Sequence, residues 1–585
     1  MAVENLITEH IDIWTSAIKT KSTSGRGSSK KLELYGVKKL RELILELAVR
    51  GKLVPQDPND EPASVLLERI AAEKAELVKE KIIRKSKSLP VVSKKEQPFV
   101  LPKGWVWERL GNIGIGATGK TPSTKQSIFF EGSIPFIGPG QINQNGEILV
   151  PEKFLSCEGL LNSTEAIEGD ILMVCIGGSI GKAAIARQTV GFNQQINAIR
   201  ALQMPSAYLY TSLSTDSFLQ ELLKKATGSA TPIINRRKWE ELLVPIAPLE
   251  EQYRIVAKVN ELMALCDQLE QQTEASIEAH QVLVTTLLDT LTNSADADEL
   301  MQNWARISEH FDTLFTTEES IDQLKQTILQ LAVMGKLVPQ DPNDEPASEL
   351  LKRIAGEKAQ LVKEKKIKKQ KALPPIAEDE KPFELPNGWV WERIDNLSNL
   401  IEYGSSQKTV DPFPGGVPVL KMGDIQNGQL ILGDHKMMSA DVEELPSLYL
   451  KNNDILYNRT NSAELVGKTG IFKGEDDKYS FASYLIRIRC NSRNVLPDYI
   501  NLSMNTPLFR ATQVEPHIKK QCGQANVNGT LMKSMLVSIP PLNEQKQIIS
   551  KVNQLISACN SLRRTIEKSK LKQLNIANSI VKRLV

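Results

Sequence analysis

The segment Gly114-Ile-Gly-Ala-Thr-Gly-Lys-Thr121 has the spacing of a phosphate-binding P-loop, G-x-x-x-x-G-K-T. A working P-loop needs a buried strand before it and a helix after it, so that backbone N–H groups point at phosphate. The flanking residues, Glu108 to Asn112 and Pro122 to Gln126, predict neither element. A related segment later in the chain, Gly404-Ser-Ser-Gln-Lys-Thr409, lacks the pattern. We therefore predict that these loops contact nucleic-acid phosphates rather than a nucleotide.

Other loops concentrate side chains that can read DNA bases. Tyr457-Asn-Arg-Thr-Asn-Ser462 brings amide, guanidinium and hydroxyl groups into one turn, and Arg, Asn and Gln bind base edges in the major groove. The segments 227–235 and 521–528 are similarly polar, and Lys519 and Lys520 beside the latter suit phosphate. Each loop alone also fits an ordinary solvated turn. Their recurrence at matched places in the two halves of the chain favours DNA recognition.

The residues predicted to contact DNA form one group in each half of the chain. The first group is Lys120, Thr121, Ser123, Lys125, Ser179, Ser229, Thr231 and Arg236. The second group is Gln407, Lys408, Asn458, Arg459, Asn461, Ser462, Lys519, Lys520, Gln524, Asn526 and Asn528.

No catalytic or metal site is predicted. Methyl transfer to a base amine would use an Asn/Asp-Pro-Pro-aromatic segment around the flipped base, and the nearest approach, Asp411-Pro-Phe-Pro414, has the wrong order. The five histidines and six cysteines show no metal-ligand spacing and no Cys-x-x-Cys pair. We therefore expect a chain that is not an enzyme and holds no metal or cofactor itself.

Composition is that of an ordinary globular protein. The 585 residues are 41% hydrophobic and 24% charged with a net charge of +2, which predicts several domains, each with its own core. Acidic residues interrupt the N-terminal apolar residues, and no apolar run approaches the roughly 18–20 residues of a membrane span. Together with the cysteine pattern, these features predict a reduced, cytoplasmic protein without a membrane partner.

The elements that must position the polar loops are revealed by a long internal repeat. Residues 51–64, Gly-Lys-Leu-Val-Pro-Gln-Asp-Pro-Asn-Asp-Glu-Pro-Ala-Ser, recur letter for letter at 335–348, and Gly104-Trp-Val-Trp-Glu-Arg109 recurs at 388–393. The common offset of 284 residues is far beyond the roughly 20–50 residues of a solenoid repeat. One domain-sized unit is therefore used twice, with a constant frame and diverged contents.

Local patterns indicate an α+β chain. Helices are predicted from about Leu32 to Val49 and from Ala63 to Arg84, and the segments 105–247 and 389–540 alternate short β-branched runs with turns. A Pro-Leu-x-Glu-Gln hinge at 248–252 and again at 541–545 begins a long helix. In both helices the seam steps 4-3-4-3, from Ile255 to 287 and from Ile548 to 580, as in a coiled coil. Packing of each helix on its own domain is the alternative, but the matching registers favour helices packed on each other. The repeat also predicts pseudo-two-fold symmetry.

This arrangement resembles the specificity subunit of Type I restriction-modification enzymes. The resemblance lies in the paired hinges with their long helices, and in Gly169-Asp-Ile-Leu172 with Gly181-Lys182. Asp454-Ile-Leu456 with Asn458 to Ser462 and Val466-Gly-Lys468 carry it in the second half. It divides the chain into a conserved helical segment (1–104), target-recognition domain 1 (105–247), a central conserved region with a spacer helix (248–388), target-recognition domain 2 (389–540) and a C-terminal spacer helix (541–585).

The resemblance implies that each recognition domain reads one half of a bipartite, asymmetric DNA site, with the two helices antiparallel as a ruler for the spacer. It implies double-stranded DNA, two methylation subunits and restriction subunits as partners. S-adenosylmethionine, ATP and magnesium are expected on those partners and not on this chain. A helix of 43 residues (249–291) spans roughly 65 Å, which exceeds the roughly 34–36 Å between successive major grooves.

Two other functions remain as alternatives. A duplicated coiled-coil scaffold could bind proteins through its β-rich domains, although the divergence of those domains within a constant frame argues against it. An enzyme acting alone rests only on the P-loop pattern. Binding to DNA predicts an affinity that falls steeply with salt, whereas a protein adaptor predicts no such dependence.

Overall fold

The repeated sequence blocks fold into equivalent elements in two units, seen in a computed structural model that describes residues 7–22, 30–85, 87–228, 231–369, 371–521 and 524–585. One unit comprises residues 1–276 with 569–585, and the other comprises residues 277–568. Helices and sheets occur in both, so the α+β prediction is confirmed.

The helices of the first unit precede and follow its sheets. They are α1 (Ile11–Ser16), α2 (Tyr35–Val49), α3 (Ala63–Lys79), α4 (Cys157–Leu161), α5 (Ser206–Leu213), α6 (Asp216–Lys225), α7 (Arg236–Glu240) and the beginning of α8 (Leu249–Asn293). The helices of the second unit are α9 (Ala297–Glu309), α10 (Phe311–Leu314), α11 (Glu318–Val333), α12 (Ala347–Lys363), α13 (Ile394–Leu397), α14 (Leu445–Leu448), α15 (Pro497–Met504), α16 (Pro507–Phe509), α17 (Gly529–Ser534) and most of α18 (Leu542–Leu584). Among the described residues, none of these helices is long and apolar enough to cross a membrane.

The strands of the first unit form small sheets. They are β1 (Lys19–Ser22), β2 (Lys30–Glu33), β3 (Val106–Arg109), β4 (Gly114–Thr118), β5 (Ile134–Ile137), β6 (Lys153–Leu155), β7 (Glu165–Ala166), β8 (Ile171–Val174), β9 (Ala183–Ile185), β10 (Val190–Phe192), β11 (Ile196–Ala201) and β12 (Leu243–Ile246). The sheet orders are β1-β2, β6-β5-β10-β7, β4-β11-β8-β9 and β12-β3.

The described strands of the second unit also form four sheets, three of which follow the plan of the first unit. They are β13 (Val390–Arg393), β14 (Ser398–Tyr403), β15 (Val417–Leu420), β16 (Ile425–Gln426), β17 (Gln429–Leu430), β18 (Met437–Met438), β19 (Ile455–Asn458), β20 (Thr460–Asn461), β21 (Thr469–Ile471), β22 (Ser480–Phe481), β23 (Leu485–Cys490), β24 (Lys519–Gln521), β25 (Gln524–Asn526) and β26 (Leu536–Ile539). The orders are β13-β26, β14-β23-β19-β21-β17-β16, β18-β15-β22 and, without a counterpart among the described strands of the first unit, β20-β25-β24.

The first and last strands of each β-rich region pair with each other. Val106 lies opposite Ile246, and Val390 lies opposite Ile539, in antiparallel registers. The chain therefore enters and leaves each β-rich region at one place, next to the repeated frame.

One buried carboxylate in each unit joins the three repeated sequence blocks. Glu544 of the second hinge accepts a hydrogen bond from Trp389 Nε1 at 2.8 Å and one from Gln340 Nε2 at 3.2 Å. Glu251 of the first hinge makes the same bonds with Trp105 at 2.9 Å and Gln56 at 3.2 Å. The frame is constant because these blocks meet at a single buried acceptor.

The glutamine that follows each of these glutamates holds the hinge itself. Gln252 and Gln545 are both fully buried, and their Nε2 groups donate to Ala247 O at 2.8 Å and Pro540 O at 2.9 Å. These bonds account for the Glu-Gln pair of the hinge motif.

Each unit contains parts of both long helices and one shorter helix packed with them. In the first unit, α2 binds α8 through Arg41, whose Nη2 lies 2.7 Å from Asp267 and 2.8 Å from Glu270, and binds α18 through Tyr35 and Asn578. In the second unit, α11 binds α18 and α8 through the contacts Arg563–Glu318, Arg563–Asp322 and Gln323–Thr285. The beginning of one long helix thus shares a unit with the end of the other, as antiparallel helices require.

The heptad prediction is correct for the beginning of each long helix and wrong further along. Ile255, Val259, Leu262 and Cys266 are buried as predicted, but Leu283 is 50% exposed, and Val284 and Leu288 are buried instead. The second helix shifts at the equivalent place, where Ala577 is fully buried and Ser569 is exposed. The seam positions are here four residues apart twice in succession, where the heptad predicts a spacing of three. The change is expected because a straight α-helix has 3.6 residues per turn, so its buried face rotates gradually away from a strict 3.5-residue repeat.

Candidate nucleic-acid interface

Gly119 and Lys120 of the P-loop pattern lie on a loop whose backbone passes very close to the backbone at the end of strand β10. A Cβ on Gly119 would lie 1.9 Å from Asn193 O, and a Cβ on Gly404 would lie 2.4 Å from Phe481 O. Lys120 N donates to Phe192 O at 2.9 Å, and Ser405 N donates to Phe481 O at the same distance. The second copy thus keeps the glycine and the backbone bond while losing the P-loop spacing. Close backbone approach, and not phosphate binding, accounts for this glycine.

The secondary structure around Lys120 is also that of a sheet loop. Gly114–Thr118 is a strand, and the residues from Gly119 to Gln126 form no helix. Lys120, Ser123 and Lys125 are exposed. No α-helix begins directly after Lys120 and Thr121, so no helix N-terminus is available there to bind a phosphate. The P-loop sequence pattern therefore does not correspond to a P-loop structure.

We expect Lys120→Ala to leave the chain without any measurable change in ATP binding and to weaken DNA binding at most a few-fold, as for the loss of one phosphate contact. Isothermal titration with Mg-ATP and DNA binding of the assembled complex measure the two effects. Loss of a nucleotide-binding signal in the variant would support the solitary-enzyme alternative.

A group of amide side chains beside Lys120 was missed by the sequence analysis. Thr121 Oγ1 donates to Gln194 Oε1 at 2.7 Å, and Asn193 Nδ2 lies 3.3 Å from Gln195 Oε1. Gln194 is exposed, and the other two amides are half-buried. The run of three amides between two strands in Phe192-Asn-Gln-Gln-Ile196 was the available signal. Together with Thr121, it forms a polar surface suited to base edges.

The remaining predicted residues of the first group flank that surface. Gly177 N donates to Pro232 O at 2.9 Å, so the turn containing Ser179 and the loop containing Thr231 are neighbours. Arg236 is exposed, and its Nη1 donates to Gly116 O at 3.3 Å. Ser229 lies outside the described residues.

The second β-rich region brings its three predicted segments together around Arg459. Backbone bonds link Arg459 N to Tyr484 O at 3.1 Å and Val527 N to Arg459 O at 2.9 Å, and Ser483 N donates to Ser405 O at 2.8 Å. The three-stranded sheet places Thr460 opposite Asn526. Segments that are far apart in sequence, at 404–408, 458–462, 519–521 and 524–528, therefore form one surface.

The Arg459 side chain is held at one end and free at the other. Its Nε donates to Ser483 O at 3.0 Å, and its guanidinium carbon lies 5.0 Å from the centroid of the Tyr403 ring. Its two terminal nitrogens have no hydrogen-bond partner among the described residues, and the side chain is half-exposed. A guanidinium stacked on an aromatic ring with a free fork is pre-organised for a planar, bidentate acceptor.

Two predicted residues of this group, the buried Asn458 and the exposed Asn528, also fix the backbone of the loops. Asn458 is 2% exposed, and its Nδ2 donates to Leu465 O at 3.1 Å. Asn528 caps α17, because its Oδ1 accepts from Leu531 N at 2.9 Å. Both asparagines shape the loops that carry the exposed side chains.

The other predicted residues of the second group lie on the surface or outside the described side chains. Gln407, Lys408, Ser462 and Lys519 are exposed, and Asn461 and Asn526 are half-buried. The backbones of Lys520 and Gln524 lie in β24 and β25, but their side chains fall outside the described part of the chain.

The Asp-Ile-Leu motif in each β-rich region positions these loops through an ion pair between its buried aspartate and a partly exposed arginine. Asp170 receives Arg200 through two bonds of 2.9 Å, and Asp454 receives Arg489 at 2.7 and 2.6 Å. Both aspartates are almost fully buried. Bidentate pairing of this kind fixes the strand that leads into each polar turn, so the motif is structural.

Comparison with known proteins agrees with this architecture. The sequence profile of the Type I restriction modification DNA specificity domain matches residues 102–279 and 386–573. The chain is 44% identical to the Type I restriction enzyme EcoAI specificity subunit of Escherichia coli and 42% identical to the EcoEI specificity subunit. Each alignment covers 99% of both chains. A chain from a solved type I R-M system, studied for complex assembly and conformational transition, superposes with a TM-score of 0.50 at 17% identity. It covers 83% of this chain and 99% of that chain, which shows the fold alone. The chain therefore belongs to the specificity subunits of Type I restriction enzymes, a family that recognises DNA target sequences.

Proposed function

We propose that this chain reads a bipartite, asymmetric DNA target, with one half-site bound by each recognition domain, 105–247 and 389–540. The observation that carries the proposal is the surface around Arg459, where three separate loops meet and where the guanidinium fork has no hydrogen-bond partner among the described residues. Arginine forks bind the O6 and N7 acceptors of guanine in the major groove more often than any other specific contact.

The two domains are proposed to read different sequences because their polar surfaces differ. The first presents Thr121 with the amides of 193–195, whereas the second presents Arg459 with an additional three-stranded sheet. The frame beneath them is the same in both units, down to the bonds of Glu251 and Glu544. Different surfaces on equivalent frames are therefore expected to read different half-sites.

We further propose that the chain is non-catalytic and directs two methylation subunits and restriction subunits to the target. S-adenosylmethionine, ATP and magnesium would then be bound by those subunits. The absence of a nucleotide-binding context around Lys120, together with membership of a family named for specificity, supports this division of labour.

Production of the chain with the methylation subunit encoded beside it, followed by sequencing of genomic DNA for methylated adenines, tests the proposal. The expected result is one asymmetric motif of two short half-sites around a fixed gap. A purified complex that shows no preference for any bipartite sequence over random duplex at moderate salt would contradict it. Stable assembly without methylation would favour a protein-binding scaffold.

A further inference from the structure

Two short lysine-rich turns carry a large local excess of positive charge. Residues 79–87 hold five cations and one acidic residue, and residues 363–371 hold six cations and one acidic residue. We name these segments the first and second basic turns. Their combined charge is +9, whereas the whole chain carries +2, so all other residues together sum to −7. The two turns are therefore strongly basic segments of a chain whose remaining residues carry a net negative charge.

The two turns correspond position by position. Each of the five cations of the first turn, Lys79, Lys81, Arg84, Lys85 and Lys87, has a lysine 284 residues later. The backbone is also repeated: Lys81 and Lys365 both adopt the left-handed conformation, with φ of 63° and 57°. This conformation ends α3 earlier than the sequence predicted, at Lys79 and not at Arg84, and α12 ends at the equivalent Lys363. Non-glycine residues adopt such a φ at some cost, so the shape of the turn is retained as well as its charge.

Ordinary structural roles leave most of this charge unexplained. A cation in the last helical turn, such as Lys79 or Lys363, stabilises the helix dipole. The other cations lie beyond the helix ends, and their side chains are exposed. Among the described contacts, only Lys366 of these cations has an ion-pair partner, Glu364 of its own turn. Closely spaced like charges repel one another, and an anionic partner would relieve that repulsion.

The ends of each basic turn are fastened to the recognition domain. On the helix side, Lys74 Nζ donates to Gly111 O at 2.6 Å and to Gly114 O at 2.8 Å, and Lys358 Nζ donates to Asp395 O at 2.7 Å. On the other side, Arg109 Nε donates to Pro90 O at 2.9 Å, and Arg393 Nε donates to Pro374 O at 3.2 Å. Both arginines are buried. Each turn is therefore anchored at both ends to the domain that reads a half-site.

The first basic turn also adjoins a second group of cations, which lies on α7. A Cβ on Gly111 would lie 2.8 Å from Glu240 and 2.9 Å from Leu89, so α7 and the segment that follows the turn meet at this glycine. Helix α7 carries Arg236 and Arg237, which are exposed and pair with Glu240 and Glu241, and the half-buried Lys238. Arg236 belongs to the predicted DNA-binding group. The positive surface thus continues from the basic turn onto the recognition domain.

From these observations we propose that the two basic turns bind backbone phosphates of duplex DNA, independently of its sequence. The proposal rests on the proposed function and extends it. The bases differ between the half-sites and the domains that read them have diverged, but the phosphate backbone is the same everywhere. A repeated element that keeps its cationic positions matches the phosphate backbone, which is the same in both half-sites.

Removal of three lysines from one turn tests the proposal. The variants are K81Q/K85Q/K87Q for the first turn and K365Q/K369Q/K371Q for the second. The matched control, K38Q/K224Q/K352Q, removes the same charge from lysines that lie beside Glu33, Glu221 and Glu349. The full chain, assembled with its methylation subunits, is titrated with target duplex and with random duplex between roughly 50 and 200 mM salt.

We expect the slope of log affinity against log salt to become shallower by about two to three in each turn variant, near 0.9 per lost phosphate contact. Affinity for target and random duplex should fall by the same factor, so that their ratio stays constant, and the control should keep the wild-type slope. Equal melting temperatures show that the variants fold.

Three results would overturn the proposal. An unchanged slope excludes phosphate contacts, and a changed ratio of target to random affinity assigns base reading to the turns. Loss of the methylation subunits at an unchanged slope identifies an acidic protein surface as the partner. If the wild-type complex itself binds no duplex in preference to random sequence, the proposed function fails. If the wild-type complex prefers one duplex but the turn variants keep the wild-type salt slope, only the present inference is refuted.

Discussion

Replacement of Glu544 with alanine is expected to lower the free energy of unfolding of the second unit by about 1–3 kcal/mol, because it leaves the buried indole N–H of Trp389 without its acceptor. It also removes one bond of Gln340, whose Nε2 keeps its bond to Gly335 O at 2.6 Å. Glu544 is 2% exposed, so water cannot replace the carboxylate without rearrangement. Urea denaturation of the full chain, followed through tryptophan fluorescence, measures the change. The equivalent Glu251→Ala should destabilise the first unit by a similar amount.

Asn543→Ala is the matched control, since Asn543 precedes Glu544 in the same helical turn and makes a single exposed bond to Asp344. It should cost well under about 1 kcal/mol, as surface substitutions do. Equal effects of the two alanine variants would show that the buried carboxylate does not hold the frame together.

The same carboxylate predicts an unusual pH dependence. Burial raises the pKa of Glu544 above its ordinary value, and burial does the same for the pKa of Glu251. Since the folded pKa exceeds the unfolded one, the contribution to stability is complete below the ordinary glutamate pKa and is lost as pH rises through the folded value. Glu544→Gln keeps an acceptor oxygen but cannot ionise, so its stability relative to wild type should increase as pH rises through that range. A difference that does not change with pH would contradict this assignment.

Arg459→Ala is expected to relax sequence preference at one base pair of one half-site by about 1–3 kcal/mol, or roughly 5- to 150-fold. The fork of Arg459 is the only part of the side chain without a described partner, while its Nε and its ring contact hold it in place. Methylation rates on duplexes with single-base changes in either half-site measure the effect. The half-site read by the first domain should keep its full preference.

Arg459→Lys provides the chemical control, because lysine keeps the charge but lacks the bidentate fork. It should lose most of the discrimination while retaining most of the affinity. Arg493→Ala removes an exposed arginine elsewhere in the same domain and should leave the preference unchanged. If Arg459→Ala weakened binding to all sequences equally, Arg459 would be a phosphate contact and not a base-reading residue.

Most of the frame could be predicted from the sequence because it follows local rules. The helix before Gly51 ends at Val49, close to the predicted end, and the long helix begins at Leu249 as the hinge indicated. The segment 208–222 belongs to two helices, Ser206–Leu213 and Asp216–Lys225, since the Thr215 side chain accepts a hydrogen bond from Phe218 N and so begins a new helix. A threonine between two apolar runs does not reveal this from pattern alone.

The candidate interface was less predictable because its parts meet only in three dimensions. Gly119 suggested phosphate chemistry, yet the constraint comes from Asn193, 74 residues later. Arg459 was singled out for its residue type, but the ring of Tyr403 and the carbonyl of Ser483 that orient it are non-local. The amides at 193–195 were overlooked for the same reason, since only the fold places them beside Thr121.

The division of the long helices between units also sets the order in which the chain can finish folding. Residues 569–585 complete the first unit, where Ala577 is buried and Asn578 accepts from Tyr35, yet they are synthesised after the entire second unit. At about 5–20 residues per second, the ribosome needs on the order of 15–60 s to traverse residues 277–568. The first unit therefore emerges from the ribosome first, but it lacks its last helical segment until synthesis of the second unit has ended.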